Sequence, residues 1–183
     1  VPRHDPLVLD SDKDGFISTV DLKDSNTYFD ITGDGIKEKV SWVQSNDGIL
    51  VYDKNANGQI DGIDEVFGNF TTSGFEELSQ LVDSNHDEKI DRKDELYSRL
   101  KVWHDDNGDG ISQTEELVSL KDEDVKSIDL NAVSADIELG GATLSEASRY
   151  TDSQGNRELA ADVKLALNSI LILHVKINYM EAV

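Results

Sequence analysis

Five times along this chain, oxygen-bearing side chains occupy alternate positions and run into a tight turn. The first run is Asp10, Asp12 and Asp14 before Gly15. The second is Asp30, Thr32 and Asp34 before Gly35, and the third is Asp53, Asn55 and Asn57 before Gly58. Asp83, Asn85 and Asp87 precede Glu88 in the fourth, and Asp105, Asn107 and Asp109 precede Gly110 in the fifth. A calcium loop needs this spacing. Oxygens at its first, third and fifth positions converge on one centre, the sixth position turns sharply, and a carboxylate near the twelfth closes the shell. A fold with five such loops must spend much of its length on turns and support them with short elements.

The closing residues differ between loops. Asp21 stands twelfth in the first loop, Asp94 in the fourth and Glu116 in the fifth. The third loop has Asp61 at its ninth position and Asp64 at its twelfth. Glu65 replaces Asp64 if that loop is one residue longer. The second loop has Ser41 at position twelve and so lacks a closing acid. Glu88 at a turn position where glycine is usual predicts a distorted fourth site, because a Cβ disfavours left-handed backbone. An isolated run of this kind is also an ordinary Asx turn that needs no metal. Four good matches in one chain of 183 residues favour calcium.

Composition supports that reading. The formal charge is -21. It argues against nucleic acid as a partner and against insertion of this segment into membranes. The acids are interleaved with Gly, Asn and Ile rather than blocked, unlike a solvating acidic tail. Metal-free, they repel one another, which predicts a loose calcium-free state. There is no cysteine, so disulfides, thiolate catalysis and zinc-thiolate sites are excluded. The apolar run from Leu165 to Val175 is interrupted by polar residues and too short to span a bilayer.

Coarse patterning predicts an α+β fold: EF-hand-like calcium loops with short helices, plus β-hairpins. Leu7 to Leu9 reads as a strand running into the first loop. Residues 39–43 and 49–52 read as a hairpin around Asn46, Asp47 and Gly48. Phe75 to Val82 reads as a helix with Phe75, Leu78, Leu81 and Val82 on one face. Residues 94–103 and 115–120 read as further helices. Asp83 and Asp105 are close enough that the fourth and fifth loops would share one helix of about three turns. Residues 127–131 read as a strand, and a hairpin turns at residues 152–155. Residues 158–178 read as a terminal helix or an irregular apolar tail. The chain reads as one module, with the loops in 5–120 and a hairpin and helix part in 121–183.

The only two prolines lie in the first six residues, and one follows Asp5. An Asp-Pro bond is ordinarily just an extended entry into a strand. It also has chemistry of its own. The Asp5 carboxylate can attack its own carbonyl and form a five-membered anhydride, and the intramolecular geometry lowers the barrier. The proline nitrogen needs a proton as it leaves. Asp5 and Asp10 are separated by up to roughly 17 Å of extended chain, so a cation in the first loop acts on Asp5 by folding the strand between them. For the proton donor, His4 reads as a bystander, and Tyr28, Tyr52 and other acids stay open.

Asp5 to Gly15, with Ser41-Trp42-Val43, Asp47 to Asp53, Leu100 to Trp103 and the stretch from Asp105 to Leu117, resembles the self-processing module of FrpC-like RTX proteins. The match is specific over residues 5–120. The resemblance implies calcium-dependent autocatalytic cleavage, with Asp5 as the cleaving residue and Pro6 as the new N-terminus. It implies ligation of the new C-terminal Asp to a lysine on another protein surface through an isopeptide bond. It also implies type I secretion from a Gram-negative bacterium to the outside, as one module of a larger protein. The chain is expected to be a monomer. A non-catalytic calcium-binding interaction module of dockerin type, or a calcium-stabilised spacer, is the alternative. The length and the hairpins count against dockerin.

Overall fold

The computed structural model describes residues 5–69 and 71–168. It contains β1 (Leu7–Leu9), β2 (Thr19–Val20), β3 (Tyr28–Phe29), β4 (Glu38–Lys39), β5 (Trp42–Val43) and β6 (Gly48–Val51). Helix α1 (Gly74–Val82) follows, then β7 (Lys89–Ile90), β8 (Lys101–Trp103), β9 (Leu117–Ser119) and β10 (Ser127–Asp129). The last strands are β11 (Val133–Leu139), β12 (Ala142–Thr151) and β13 (Arg157–Leu165). A nine-stranded sheet runs β7-β10-β12-β13-β1-β6-β8-β9, with β11 also on β12. Two small ribbons, β2-β5 and β3-β4, lie apart from it.

The expected α+β, EF-hand-like fold is therefore corrected. The protein is mostly β, a curled half-barrel, and no loop is held between a pair of helices. Among the described residues α1 is the one α-helix. Residues 94–103 are not helical: a 3-10 turn at Tyr97–Arg99 leads into β8. Leu100, Val102 and Trp103 fit either period, and pairing of β8 with both β6 and β9 decides for strand. Residues 115–120 are likewise a 3-10 turn followed by β9. The fourth and fifth loops hence share no helix. Residues 39–43 and 49–52 do not form a hairpin together, because β5 pairs with β2 while β6 joins β1 and β8. Residues 157–165 are a strand, and the rest of the expected terminal helix or tail, beyond residue 168, lies outside the described residues. The β1 strand, the strand near 127, the hairpin at 152–155 and α1 match the expectation. Leu81 does not: it is about half exposed, while Phe75, Leu78 and Val82 are buried.

Both faces of the sheet centre are covered, so its strands are apolar at successive positions rather than alternate ones. Val8, Ile49, Val51, Trp103, Ala161 and Val163 enter one core with Phe29 and Trp42. Leu7, Leu9, Leu50, Val102 and Ala160 enter the other, with Phe75, Leu78 and Val82 of α1. Side chains alternate along a strand, so Asp162, two residues after Ala160, belongs to the α1 side. Asp5, two residues before Leu7, comes to the same side. This parity brings the two acids together.

Candidate functional site

All five loops share one backbone wrap. The first-position carboxylate accepts the N–H groups of positions five and six: Asp10 from Asp14 and Gly15, Asp30 from Asp34 and Gly35, Asp53 from Asn57 and Gly58. Asp83 accepts from Asp87 and Glu88, and Asp105 from Asp109 and Gly110. The fifth-position side chain then accepts the N–H of position seven in every loop. Positions four and six are left-handed throughout, including the non-glycines Lys13, Ala56, His86 and Glu88, with φ between 57° and 64°. The fourth loop keeps the common wrap although Glu88 carries a Cβ.

Closure follows a second rule. In three loops a buried carboxylate bridges the N–H groups of positions two and nine. Glu116 accepts from Asp106 and Gln113 at 3.0 and 3.1 Å. Asp94 accepts from Ser84 and Asp91 at 2.9 and 2.8 Å. Glu65 accepts from Lys54 and Asp61 at 3.1 and 2.8 Å, whereas Asp64 is exposed. The third loop is thus closed at the longer spacing. Asp61 is braced by Asn55 and Asn57.

The first loop obeys the same rule with a residue the loop spacing does not contain. Asp47 accepts Ser11 N–H at 3.3 Å and Ser18 N–H at 2.7 Å, which are positions two and nine. It is 1% exposed, and it forms a potential ligand cluster with Asp10 and Asp12. Asp21, expected to close this loop, instead accepts the N–H of Lys23. Burial, with the like charges of Asp10 and Asp12, pushes Asp47 up to about 7. In the second loop Ser41 is engaged with Ala166. Glu38, at position nine, accepts the Thr32 hydroxyl at 3.2 Å and is raised by burial and by the nearby Asp34 and Asp30.

The fifth loop is seated on two tryptophans. Trp42 Nε1 donates to Asp105 at 2.7 Å and Trp103 Nε1 to Glu116 at 3.2 Å. The two indoles meet edge-on at 5.5 Å. Burial raises Asp105. Asn107 and Gln113 side chains brace Asp109. The donor sets of these loops are carboxylate and amide oxygens, the kind that calcium takes. In the first loop Asp10, Asp12 and Asp47 stand close enough to fit a divalent cation between them.

The Asp5-Pro6 bond lies at the other end of β1, and both residues are buried. Ser145 Oγ donates toward Asp5 Oδ2 at 3.3 Å. Val163 N–H donates to the Pro6 carbonyl at 2.9 Å. Gly68, at φ 110°, lies against the Asp5 carbonyl, and a Cβ there would collide with it. The far end of β1 is held by Tyr150, whose hydroxyl donates to the Asp10 carbonyl at 2.7 Å. Tyr28 is about half exposed, with its backbone carbonyl beside Gly110, and the Tyr52 ring faces the Arg99 guanidinium. His4 lies outside the described residues.

Among known proteins, the SPM domain model matches residues 7–166. Iron-regulated protein FrpA of Neisseria meningitidis serogroup C is 38% identical over 177 residues, covering 91% of this chain and 16% of FrpA. The chain therefore spans about a sixth of the length of that relative. No helix among the described residues is long and apolar enough to cross a membrane.

Proposed function

The chain belongs to the SPM domain family, and on that premise we propose that it is a calcium-triggered self-cleaving module acting at Asp5-Pro6. The observation that carries this reading is the continuity of one strand. The scissile carbonyl is seated against Gly68 at one end of β1, and the first loop begins at Asp10 at the other. Residues Asp10, Asp12, Asp14 and Asp47 hold calcium in the first loop. Asp53, Asn55, Asn57 and Glu65 serve the third, Asp83, Asn85, Asp87 and Asp94 the fourth, and Asp105, Asn107, Asp109 and Glu116 the fifth. When bound, calcium supplies the positive charge that lets these carboxylates pack together. Asp5 is reached through the fold: with the loops closed, β1 is pinned between β6 and β13, which seats the Asp5 carboxyl in its buried place beside Ser145.

Attack of that carboxylate on the carbonyl carbon gives the aspartyl anhydride and releases Pro6 as a new N-terminus. Water opens the anhydride to a C-terminal Asp. A lysine amine on another protein surface opens it to an isopeptide bond. Relatedness to FrpA supports a place in a larger secreted protein of type I export. Calcium of about 1 mM, typical for extracellular modules, added to chain purified in chelator, tests the proposal by intact mass. Loss of residues 1–5 is expected. Calcium-induced folding at unchanged mass would leave a calcium-binding module without this chemistry.

A further inference from the structure

We propose that Asp162 is the acid that protonates the Pro6 nitrogen as the Asp5-Pro6 bond breaks. This rests on the self-cleavage reading and names a group that reading lacks. The registry of β1 on β13 sets Leu7 opposite Asp162, and the Pro6 carbonyl is tied to the next residue, Val163. Asp162 and Asp5 emerge on the same face. The Ser145 hydroxyl links them, at 3.3 Å from Asp5 Oδ2 and 3.3 Å from the Asp162 carbonyl.

Asp162 is 0% exposed. Its Oδ2 accepts Gly74 N–H, at the start of α1, at 2.8 Å. Its Oδ1 accepts no hydrogen bond among the described residues. A Cβ on Gly74 would collide with Oδ1, so the glycine makes room for it. One oxygen is thus fixed to the scaffold by Gly74 N–H; the other receives no N–H, and the side-chain contact of Asp162 with the Glu146 carboxyl is one that only a proton held by the pair allows. The groups facing it agree. Burial, Glu146 on β12 and Asp5 oppose ionisation, the Gly74 N–H favours it, and the group is pushed up to about 8. An acid of that strength keeps its proton at neutral pH and can still give it up, as general acids do.

The step balances. An Asp5 carboxylate oxygen forms a bond to the Asp5 carbonyl carbon, and the bond from that carbon to Pro6 N breaks. The electron pair stays on nitrogen, which takes the Oδ1 proton. The products are a neutral anhydride, a proline secondary amine and the Asp162 carboxylate.

The test is the cleavage rate of the full chain at saturating calcium from about pH 6 to about pH 9.5, in wild type, D162N and E146Q. Folding is followed by near-ultraviolet dichroism. The wild-type rate should fall about tenfold per pH unit above the Asp162 pKa. D162N should fold with calcium yet cleave about 100-fold more slowly, with the alkaline fall gone. E146Q removes a like charge beside Asp162 and should move the fall to lower pH, a shift that a merely structural Asp162 would not give. D162N cleaving at the wild-type rate, or an alkaline fall unmoved in E146Q, would overturn the assignment. If D162N does not fold, E146Q decides by itself. A wild-type chain that folds but never cleaves sinks the parent reading and this one together; cleavage in which D162N keeps pace sinks only the role of Asp162.

Discussion

The leading carboxylate of each loop accepts two or three backbone N–H groups, whereas Asp162 accepts one and stands beside Glu146 and Asp5. Both regions crowd acids together. In the loops burial raises leading acids such as Asp10 and Asp105, and the surrounding N–H groups act against that rise. In the pocket, low solvation and few donors favour the protonated form. On the proposed reading the same residue type is a calcium ligand in one place and a proton donor in another, and the surroundings decide which.

The largest effect that separates the two regions is expected from Asp5→Ala. It should abolish cleavage while calcium-induced folding stays intact, since the side chain belongs to the pocket and to no loop. Loss of folding, read by near-ultraviolet dichroism, would merge the two regions.

Next comes a series through the loop closers. Glu116→Ala leaves the Asp106, Gln113 and Trp103 donors without their acceptor and should cost about 2–4 kcal/mol, weakening calcium-induced folding and cleavage together. Asp47→Ala should act in the same direction through the first loop. Asp30→Ala should matter less, because its loop has no carboxylate bridging positions two and nine. Calcium titrations of the three variants check the order, and a larger loss from Asp30→Ala than from Glu116→Ala would break it.

A smaller effect comes from pH. Asp47 and Asp162 have folded pKa values of about 7 and about 8, above the ordinary carboxylate value. The folded state therefore binds more protons than the unfolded state between about pH 4 and about pH 8, and stability falls as pH rises through that window. The calcium-free chain should become more compact on acidification from about pH 8 to about pH 5. An unchanged hydrodynamic radius would contradict this. The smallest effect is expected from Glu88→Gly. It relieves about 1 kcal/mol of left-handed strain and should tighten the fourth loop slightly, as calcium titration would show.

Legibility in the sequence follows distance along the chain. The five wraps can be read because every partner lies within a few residues of the leading acid. Asp94 and Glu116 close their loops from within the same segment. Asp47 cannot be read as the first loop's closing acid: it reaches that loop from the turn before β6, and in sequence it looks like a hairpin turn. Asp162 is hidden for the same reason. Its one signal is an acid set between Ala160-Ala161 and Val163 in a stretch too apolar for a surface strand. The fold class departs from expectation because strands of two to four residues carry too little period to oppose a helical reading. The EF-hand expectation takes a helix on each side of a loop from the motif, whereas among the described residues only the fourth loop follows a helix, α1, and strands and 3-10 turns flank the rest.

Whether folding of the loops sets Asp5 against its own carbonyl can be read by trapping the anhydride. Calcium and hydroxylamine are added together to chelator-purified chain, and the products are followed by mass spectrometry. The expected product is a hydroxamate on the released Val1–Asp5 peptide, heavier than the acid by about one NH, with a partner chain beginning at Pro6. Cleavage at the normal rate with no hydroxamate, or full folding with no cleavage, would contradict it.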